Sequence, residues 1–245
     1  MSADEHPATG SARRLDDGAL DGAENMARDE ALLALRVAPT LRFYRWERPT
    51  LSLGWFQDAA DLPLDAVAAR GGAVVRRMTG GKAILHEHEL TYALCAPERG
   101  PLGGGPAAAM RAIHSAWATE LGRQVGTSVE IRGVGSLASD LHGSAWCFED
   151  SSPLDLALRG RKLLGSAARR REGWILFHGS LVLEKPRENP GIAALGREPD
   201  RDALAAALGR ALGFHFAPGE WTQAEREETS RVRAKYADPA FTLRR

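Results

Sequence analysis

The stretch LDLALRGRKLLGSAARRREGWILFHGSLVLE, residues 154–184, decides the fold. Arg159-Gly160 and Glu172-Gly173 read as tight turns, so three consecutive strands of a meander are predicted. Alternation along a strand then puts Lys162, Leu164 and Ser166 on one face of the middle strand. It puts Trp174, Leu176, His178 and Ser180 on one face of the last. A lysine and a histidine at strand centres call for a reason, because such groups are seldom placed inside without partners.

Upstream, GAVVRR (72–77), KAILHE (82–87) and LTYALCA (90–96) are further β-like runs, the first two joined through Thr79, Gly80 and Gly81. LRFYRWERPTLSLGWF (41–56) reads as two strands with Pro49 at the turn. Helices are predicted in ENMARDEALLALRV (24–37), where Met26, Leu33 and Val37 make a stripe with Leu32 beside it, and in LDAVAARG (64–71), which stops at Gly71-Gly72. AAAMRAIHSAWATELGRQVG (107–126) repeats Met110, Ile113, Trp117 and Leu121 every three or four residues. DRDALAAALGRALGF (200–214) and TQAEREETSRVRAKYA (222–237) supply two more helices. Helices interspersed with hairpins, rather than alternating with single strands, predict an α+β fold with mixed or antiparallel sheets packed with helices. Residues 1–21 show no apolar period and are expected to form a loose, disordered tail, leaving 22–245 as one catalytic-size domain with C-terminal helices from about 200.

The 245 residues are 44% hydrophobic and carry 32 basic against 32 acidic side chains, an ordinary globular composition whose core needs no disulfide or structural metal. Zero net charge argues against a protein that coats nucleic acid or anionic membrane. No run approaches the ~20 apolar residues of a membrane span, and the polar N-terminus is no signal peptide, so a cytoplasmic location is expected. Cys95 and Cys147 are too few for a disulfide scaffold and lack the spacing of a zinc site.

Three stretches carry chemistry. Arg76-Arg77-Met78-Thr79-Gly80-Gly81-Lys82 sets three cations and a hydroxyl around a double glycine, which suits an approaching phosphate or carboxylate but equally a solvated hairpin turn. It is neither a GxGxxG nor a Walker loop. In His86-Glu87-His88 two histidines share a strand face, yet no third ligand is in evidence, so no metal is expected and His86 is read as structural or substrate-lining. The third group is Cys147, then Lys162 through Gly165 and Ser166, then His178-Gly179-Ser180. A cation near a cysteine favours the nucleophilic thiolate, although a lone cysteine is also a small buried hydrophobe, the reading that fits Cys95 inside LTYALCA. Between Leu156 and Arg171 lie six cations (Arg159, Arg161, Lys162, Arg169, Arg170, Arg171) and no acid. Such a cluster is either a solvated strand end or a docking face for an acidic carrier.

Taken in order, Arg77-Met-Thr-Gly-Gly-Lys-Ala-Ile-Leu-His86, Glu89-Leu-Thr-Tyr92, Cys147-Phe148, Gly160-Arg-Lys-Leu-Leu-Gly-Ser-Ala167 and His178-Gly-Ser180 resemble the lipoate-protein ligase A / octanoyltransferase group of the biotin/lipoate ligase superfamily. Asn25-Met26-Ala27 with Asp29-Glu30-Ala31-Leu32-Leu33, and Leu51-Ser52-Leu53-Gly54 with Phe56-Gln57, match the same group, so the resemblance runs from about Glu24 to Glu184. It implies the biotin/lipoate protein ligase fold, related to class II aminoacyl-tRNA synthetases. Two chemistries compete within it: octanoate transfer from acyl carrier protein through a cysteine thioester without ATP, and ATP- and Mg-dependent lipoate ligation through lipoyl-AMP. TGGKAILHEHELTY is closer to the transferase form, and Cys147 stands where that branch carries its nucleophile.

The resemblance thus implies Cys147 as nucleophile and Lys162 as its electrostatic partner. Backbone N–H groups near Gly80, Gly81 or Gly165 would serve the oxyanion. Arg76, Arg77, Thr79, Lys82, His86, Ser166, His178 and Gly179 complete the expected substrate site. Leu, Val and Phe side chains would wall a tunnel for the acyl chain, at ~0.8 kcal/mol per buried methylene. The implied partners are octanoyl-acyl carrier protein and a lipoyl-domain protein, such as glycine cleavage H protein or a 2-oxoacid dehydrogenase E2. A non-catalytic acyl binder is the third possibility. Departures from the group's pattern are Lys82, Met78, Ala168 and a C-terminal Tyr236…Phe241-Thr242 without Trp-Asn.

Overall fold

The computed structural model of the protein describes residues 10–135, 137, 140, 145–147, 152–186 and 191–244. The chain runs β1 (Gly10–Leu20), α1 (Gly22–Leu35), β2 (Thr40–Trp46), β3 (Thr50–Leu53), α2 (Leu64–Ala69), β4 (Ala73–Arg76), β5 (Ile84–His86), β6 (Glu89–Pro97) and α3 (Gly105–Val125). It continues through β7 (Val129–Ile131), β8 (Leu156–Leu158), β9 (Arg161–Arg171), β10 (Trp174–Val182), α4 (Arg201–Leu212), β11 (Phe214–Pro218), α5 (Gln223–Ala237) and α6 (Pro239–Thr242). Eight strands form one sheet in the order β11-β1-β2-β6-β10-β9-β8-β7, and β4-β3-β5 form a second. In the large sheet only β1 pairs in parallel, with β11 and β2; the predicted meander β8-β9-β10 is antiparallel throughout. This is the mixed α+β architecture that the patterning predicts.

The two faces of the large sheet have different chemistry. One presents Leu41, Phe43, Tyr92, Leu94, Ile175 and Phe177, packed on the stripe Met110, Ile113, Trp117 and Leu121 of α3 and on Leu204 and Leu208 of α4. Each such side chain contributes ~1.5–3 kcal/mol by leaving water, so this face holds the main core. The register places on the other face two rows, Gly165–Ser180–Thr91–Tyr44 and Ala167–His178–Ala93–Arg42. That polar face is roofed by α1, α5 and the small sheet, with Met26, Ala27, Val232 and Tyr236 closing over Tyr44 and Ala93. Local signals set the roof helices: Asp21 caps α1 by accepting from Glu24 N–H at 2.8 Å, and Thr222 with Glu225 makes a reciprocal capping box on α5.

Three expectations are corrected. Residues 10–20 of the expected tail form β1, and the boundary at 22 moves accordingly; residues 1–9 lie outside the described residues. Flanked on both sides by strands, β1 buries Ala12 and Leu15 and sends Arg13 to Glu225 and Thr40, so ladder pairing and ion pairs take the place of an apolar period. The helix expected to run to Phe214 ends at Leu212, where Gly213 takes φ 73°, and Phe214–Pro218 is a strand. The glycine loop is no hairpin turn, because β3 lies between β4 and β5 and pairs with both. Among the described residues no helix is long and apolar enough to cross a membrane.

Because β1 is an integral strand, Leu15→Ala is expected to cost roughly 2–5 kcal/mol in denaturant unfolding. A loss below about 0.5 kcal/mol would mean that this segment does not contribute to the fold.

Candidate active site

The position of Lys162 follows from a slip in the ladder. Between β8 and β9 the register shifts at Leu156/Ala157, as in a β-bulge, so the strict alternation expected for Lys162, Leu164 and Ser166 fails. Leu164 belongs to the core cluster and Ser166 bonds Tyr92 and His114 on that side. Lys162 instead reaches the polar face beside Gly165, where an added Cβ would lie 2.8 Å from its Cε and 3.0 Å from its Nζ. Glycine at 165 is what leaves room for the ammonium.

Cys147 is brought there by a short bridge. Its N–H donates to Ala83 O at 2.9 Å, Ala83 N–H donates to Ala145 O at 3.2 Å, and Gln57 Nε2 holds Ala145 O at 3.0 Å. The residue just after the glycine loop therefore positions the cysteine, while Phe148 lies outside the described residues. Lys162 Nζ donates to Cys147 O at 2.6 Å, pairs with Asp155 Oδ2 at 2.7 Å and stands 3.5 Å from Cys147 Sγ. An ammonium has three N–H donors, and these contacts direct one each to a carbonyl, a carboxylate and the sulfur. Burial pulls the Lys162 pKa down, but Cys147 and Asp155 outweigh it and the net direction is up, so the lysine stays charged.

The arginines of the glycine loop serve the backbone. Arg77, buried, donates to Ser52 O at 2.9 Å, Gly80 O at 2.9 Å and Lys82 O at 2.7 Å, folding the loop around its guanidinium; burial lowers it to about 10. Gly54 lets the loop pass over the end of β3, since a Cβ there would sit 1.8 Å from Gly81 O. Arg76 points away from the pocket, donating to Gly54 O, Gln57 O, Thr242 O and Arg244 O at 2.6–3.0 Å, and so ties the C-terminal segment to β4. Its expected role on substrate is corrected to an anchoring one.

Two histidines sit in matching relays. Asp29 Oδ2 faces His178 Nδ1 at 3.2 Å, and Thr79 Oγ1 lies 2.5 Å from His178 Nε2. A carboxylate only accepts, so Nδ1 carries the proton and Thr79 donates to Nε2. Glu89 likewise accepts from His86 Nδ1, and Ser52 Oγ lies 2.7 Å from His86 Nε2. Behind them, Asp29 takes Arg42 Nη1 at 2.7 Å and the Tyr44 hydroxyl at 2.9 Å, and Glu89 takes Ser180 at 2.7 Å and Thr91 at 2.9 Å. Burial alone would raise the Glu89 carboxyl, but His86 and the two hydroxyls hold it below the usual range. On the core side His114 Nδ1–H donates to Leu154 O at 2.5 Å, so Ser166 donates to its Nε2 at 2.8 Å and accepts from Tyr92 at 2.7 Å. Gly179 is required beneath that hydroxyl, where a Cβ would fall 2.3 Å from Ser166 Oγ.

A small pocket of about 50 Å³ brings together Cys147, Arg77, Gly81, His86, Gly165 and His178, with Ser166 and Gly179 also on its wall. Its apolar lining is Met26, Tyr44, Trp46 and Ile84 in place of the expected Leu, Val and Phe, which the register assigns to the core face. Thr79 and Gly80 act behind the wall, and Lys82 contributes its carbonyl to Arg77. His86 is buried and His88 exposed, and no group of three or more metal-ligating side chains occurs among the described residues. Asp155, Glu89 and Ser52 escape the residue-by-residue reading; the signal for Asp155 was an acid between two leucines at a strand start.

A thiol beside a buried ammonium in a pocket on the polar sheet face is an arrangement suited to covalent chemistry on a small acyl-type group. The chain belongs to the lipoyl protein ligase A/B catalytic domain family, whose sequence model matches residues 21–189. Octanoyltransferase LipM of Moorella thermoacetica is 36% identical over 268 residues, covering 95% of this chain and 98% of that protein, and Octanoyltransferase LipM of Symbiobacterium thermophilum is 36% identical with the same coverage. Among solved structures, a putative lipoate protein ligase of T. acidophilum with bound lipoic acid matches with TM-score 0.79 and 21% identity over 96% of this chain and 99% of that one. A lipoate-protein ligase A bound with ATP matches with TM-score 0.76 and 20% identity over 96% and 98%, and both show a shared fold.

Burial is the first cause lowering both His114 and His178 below 6.5. Below about pH 6.5 the unfolded chain therefore binds more protons than the folded one, and the stability these rings contribute is lost as pH falls through their folded values. NMR titration is expected to find both rings neutral at pH 6.5; a midpoint at or above 6.5 for either would contradict this environment.

Proposed function

We propose that this protein is an octanoyltransferase in protein lipoylation, which takes octanoate from a carrier-protein thioester onto Cys147 and passes it to a lysine of a lipoyl-domain protein. The observation that carries the reading is the 3.5 Å approach of Lys162 Nζ to Cys147 Sγ, with Asp155 fixing the ammonium. The near full-length similarity to LipM octanoyltransferases supports it.

In the first step the Cys147 sulfur, as thiolate, adds to the donor's carbonyl carbon. The carbon–sulfur bond to the donor breaks, and the donor leaves as a thiol that takes up the proton the cysteine gave up. Lys162 is counter-ion to each sulfur anion, and a backbone N–H near Gly80, Gly81 or Gly165 would hold the developing oxyanion. In the second step the neutral amine of the acceptor lysine adds to the same carbon. The amide forms, the Cys147 thioester breaks, and the amine's proton returns to sulfur. The rings of His86 and His178, each held between a carboxylate and a hydroxyl, orient and shape the pocket, while Met26, Tyr44, Trp46 and Ile84 hold the chain. No ATP is required, in keeping with the engagement of Arg76 and Arg77 by backbone carbonyls. The acceptor is a glycine cleavage H protein or a 2-oxoacid dehydrogenase E2 lipoyl domain, and the enzyme acts in the cytoplasm.

Incubation with octanoyl carrier protein is expected to give a hydroxylamine-sensitive adduct without ATP, absent in Cys147→Ser and formed on the order of 10²-fold more slowly in Lys162→Met. Activity on free lipoate that requires ATP and survives Cys147→Ala would instead select the ligase reaction.

A further inference from the structure

On the polar face of β9, Gly165 and Ala167 line the Cys147 pocket, and the next residues of that alternation are Arg169 and Arg171. Four residues of strand separate Arg169 from Gly165 by about 14 Å. There the face opens into a second cavity of about 130 Å³, lined by Arg169, Arg170, Arg171 and Lys235 against one carboxylate, Glu30. Glu30 is already engaged by Lys235 and by the Tyr236 hydroxyl at 2.5 Å. Arg170 pairs with Glu98 and Arg171 with Glu172, but the Arg169 and Arg244 guanidiniums have no carboxylate within ion-pair distance among the described residues. Both lie over the Trp55 ring, at 5.4 and 3.9 Å from its centroid. Next to Trp55, Phe56 is 86% exposed. Trp55 N–H donates to Thr79 O at 2.8 Å, which ties this aromatic floor to the glycine loop.

We propose that this basic cleft, with Trp55 on its wall and Arg244 against that ring, is the face on which the acidic carrier protein that delivers the octanoyl thioester docks. The inference rests on the transferase reading above. Excess positive charge on one face, inside a chain of zero net charge, attracts an acidic surface and steers it onto the end of the polar face. A folded body seated about 14 Å from Gly165 reaches an enclosed thiol only through an arm.

The test compares Cys147 acylation in Arg169→Glu/Arg171→Glu and, separately, in Arg244→Glu, using octanoyl carrier protein, octanoyl-CoA and the uncharged octanoyl-N-acetylcysteamine. The expected result is a loss on the order of tenfold or more in kcat/KM with the carrier alone, together with loss of the wild-type rate's decrease on adding salt. Melting temperatures and the reaction with octanoyl-N-acetylcysteamine report on folding. Equal losses with all donors, or no loss with the carrier, would overturn the proposal. A loss with octanoyl-CoA equal to that with the carrier would assign the cleft to a phosphate and overturn protein docking. Failure of every donor to acylate the wild-type protein would remove the transferase reading itself, and the docking with it.

Discussion

Burying the Lys162 ammonium is unfavourable by several kcal/mol unless its charge and its hydrogen bonds are met on the spot. Asp155 and the carbonyl of Cys147 meet them, and each is delivered by a different part of the chain. Asp155 comes from the start of the meander, and the carbonyl from a segment pinned to Ala83 behind the glycine loop. Satisfying one buried cation therefore fixes where the cysteine stands. The geometry that sets the thiol beside a cation is the same geometry that makes the charge tolerable.

The logic extends over the whole polar face. Arg42 is drawn down by burial and held up by Asp29 and Asp17, and its net direction is upward, so it remains a cation under α1. Asp29 in turn orders Tyr44 and His178, and through His178 the Thr79 hydroxyl of the loop. Glu89 orders His86, Ser180 and Thr91 from the opposite side. Because each carboxylate only accepts, both imidazoles turn a protonated Nδ1 to it, and the second nitrogen of each meets a hydroxyl. A pocket walled this way has its polar groups directed into the wall, leaving its interior to the apolar surfaces of Met26, Tyr44, Trp46 and Ile84. The small sheet, α1 and the C-terminal segment act less as a second core than as the partners this face needs.

Much of this was legible in the sequence, and what was not has physical causes. The meander and the helical stripe from Met110 to Leu121 came from turns and periodicity, and family motifs singled out Cys147 and Lys162, while their contact came only with the structure. The first strand was hidden because Arg13 and Arg14 are satisfied by Glu225 and Asp202, more than 180 residues away, so its local composition is that of a solvated tail. Arg76 and Arg77 read as ligand-binding cations because nothing local tells a guanidinium that meets a phosphate from one that meets carbonyls. The face on which Lys162 stands depends on a register slip between two strands, and alternation within a single strand is blind to that.

The glycines show how stability and function are joined here. Gly165 leaves space for Lys162, Gly179 for Ser166, and Gly54 for the carbonyl of Gly81. In each case the missing side chain admits a polar group onto the sheet or across its end, where a β-branched residue would otherwise favour a plain strand. The sheet gives up packing and strand propensity at these points, and the core face bears that cost, with Trp117 stacked on Phe43 and set edge-on to Tyr92. A protein with a catalytic face on one side of a sheet therefore needs a strong apolar face on the other. The clean division of this sheet into one apolar and one polar side is the form that requirement takes.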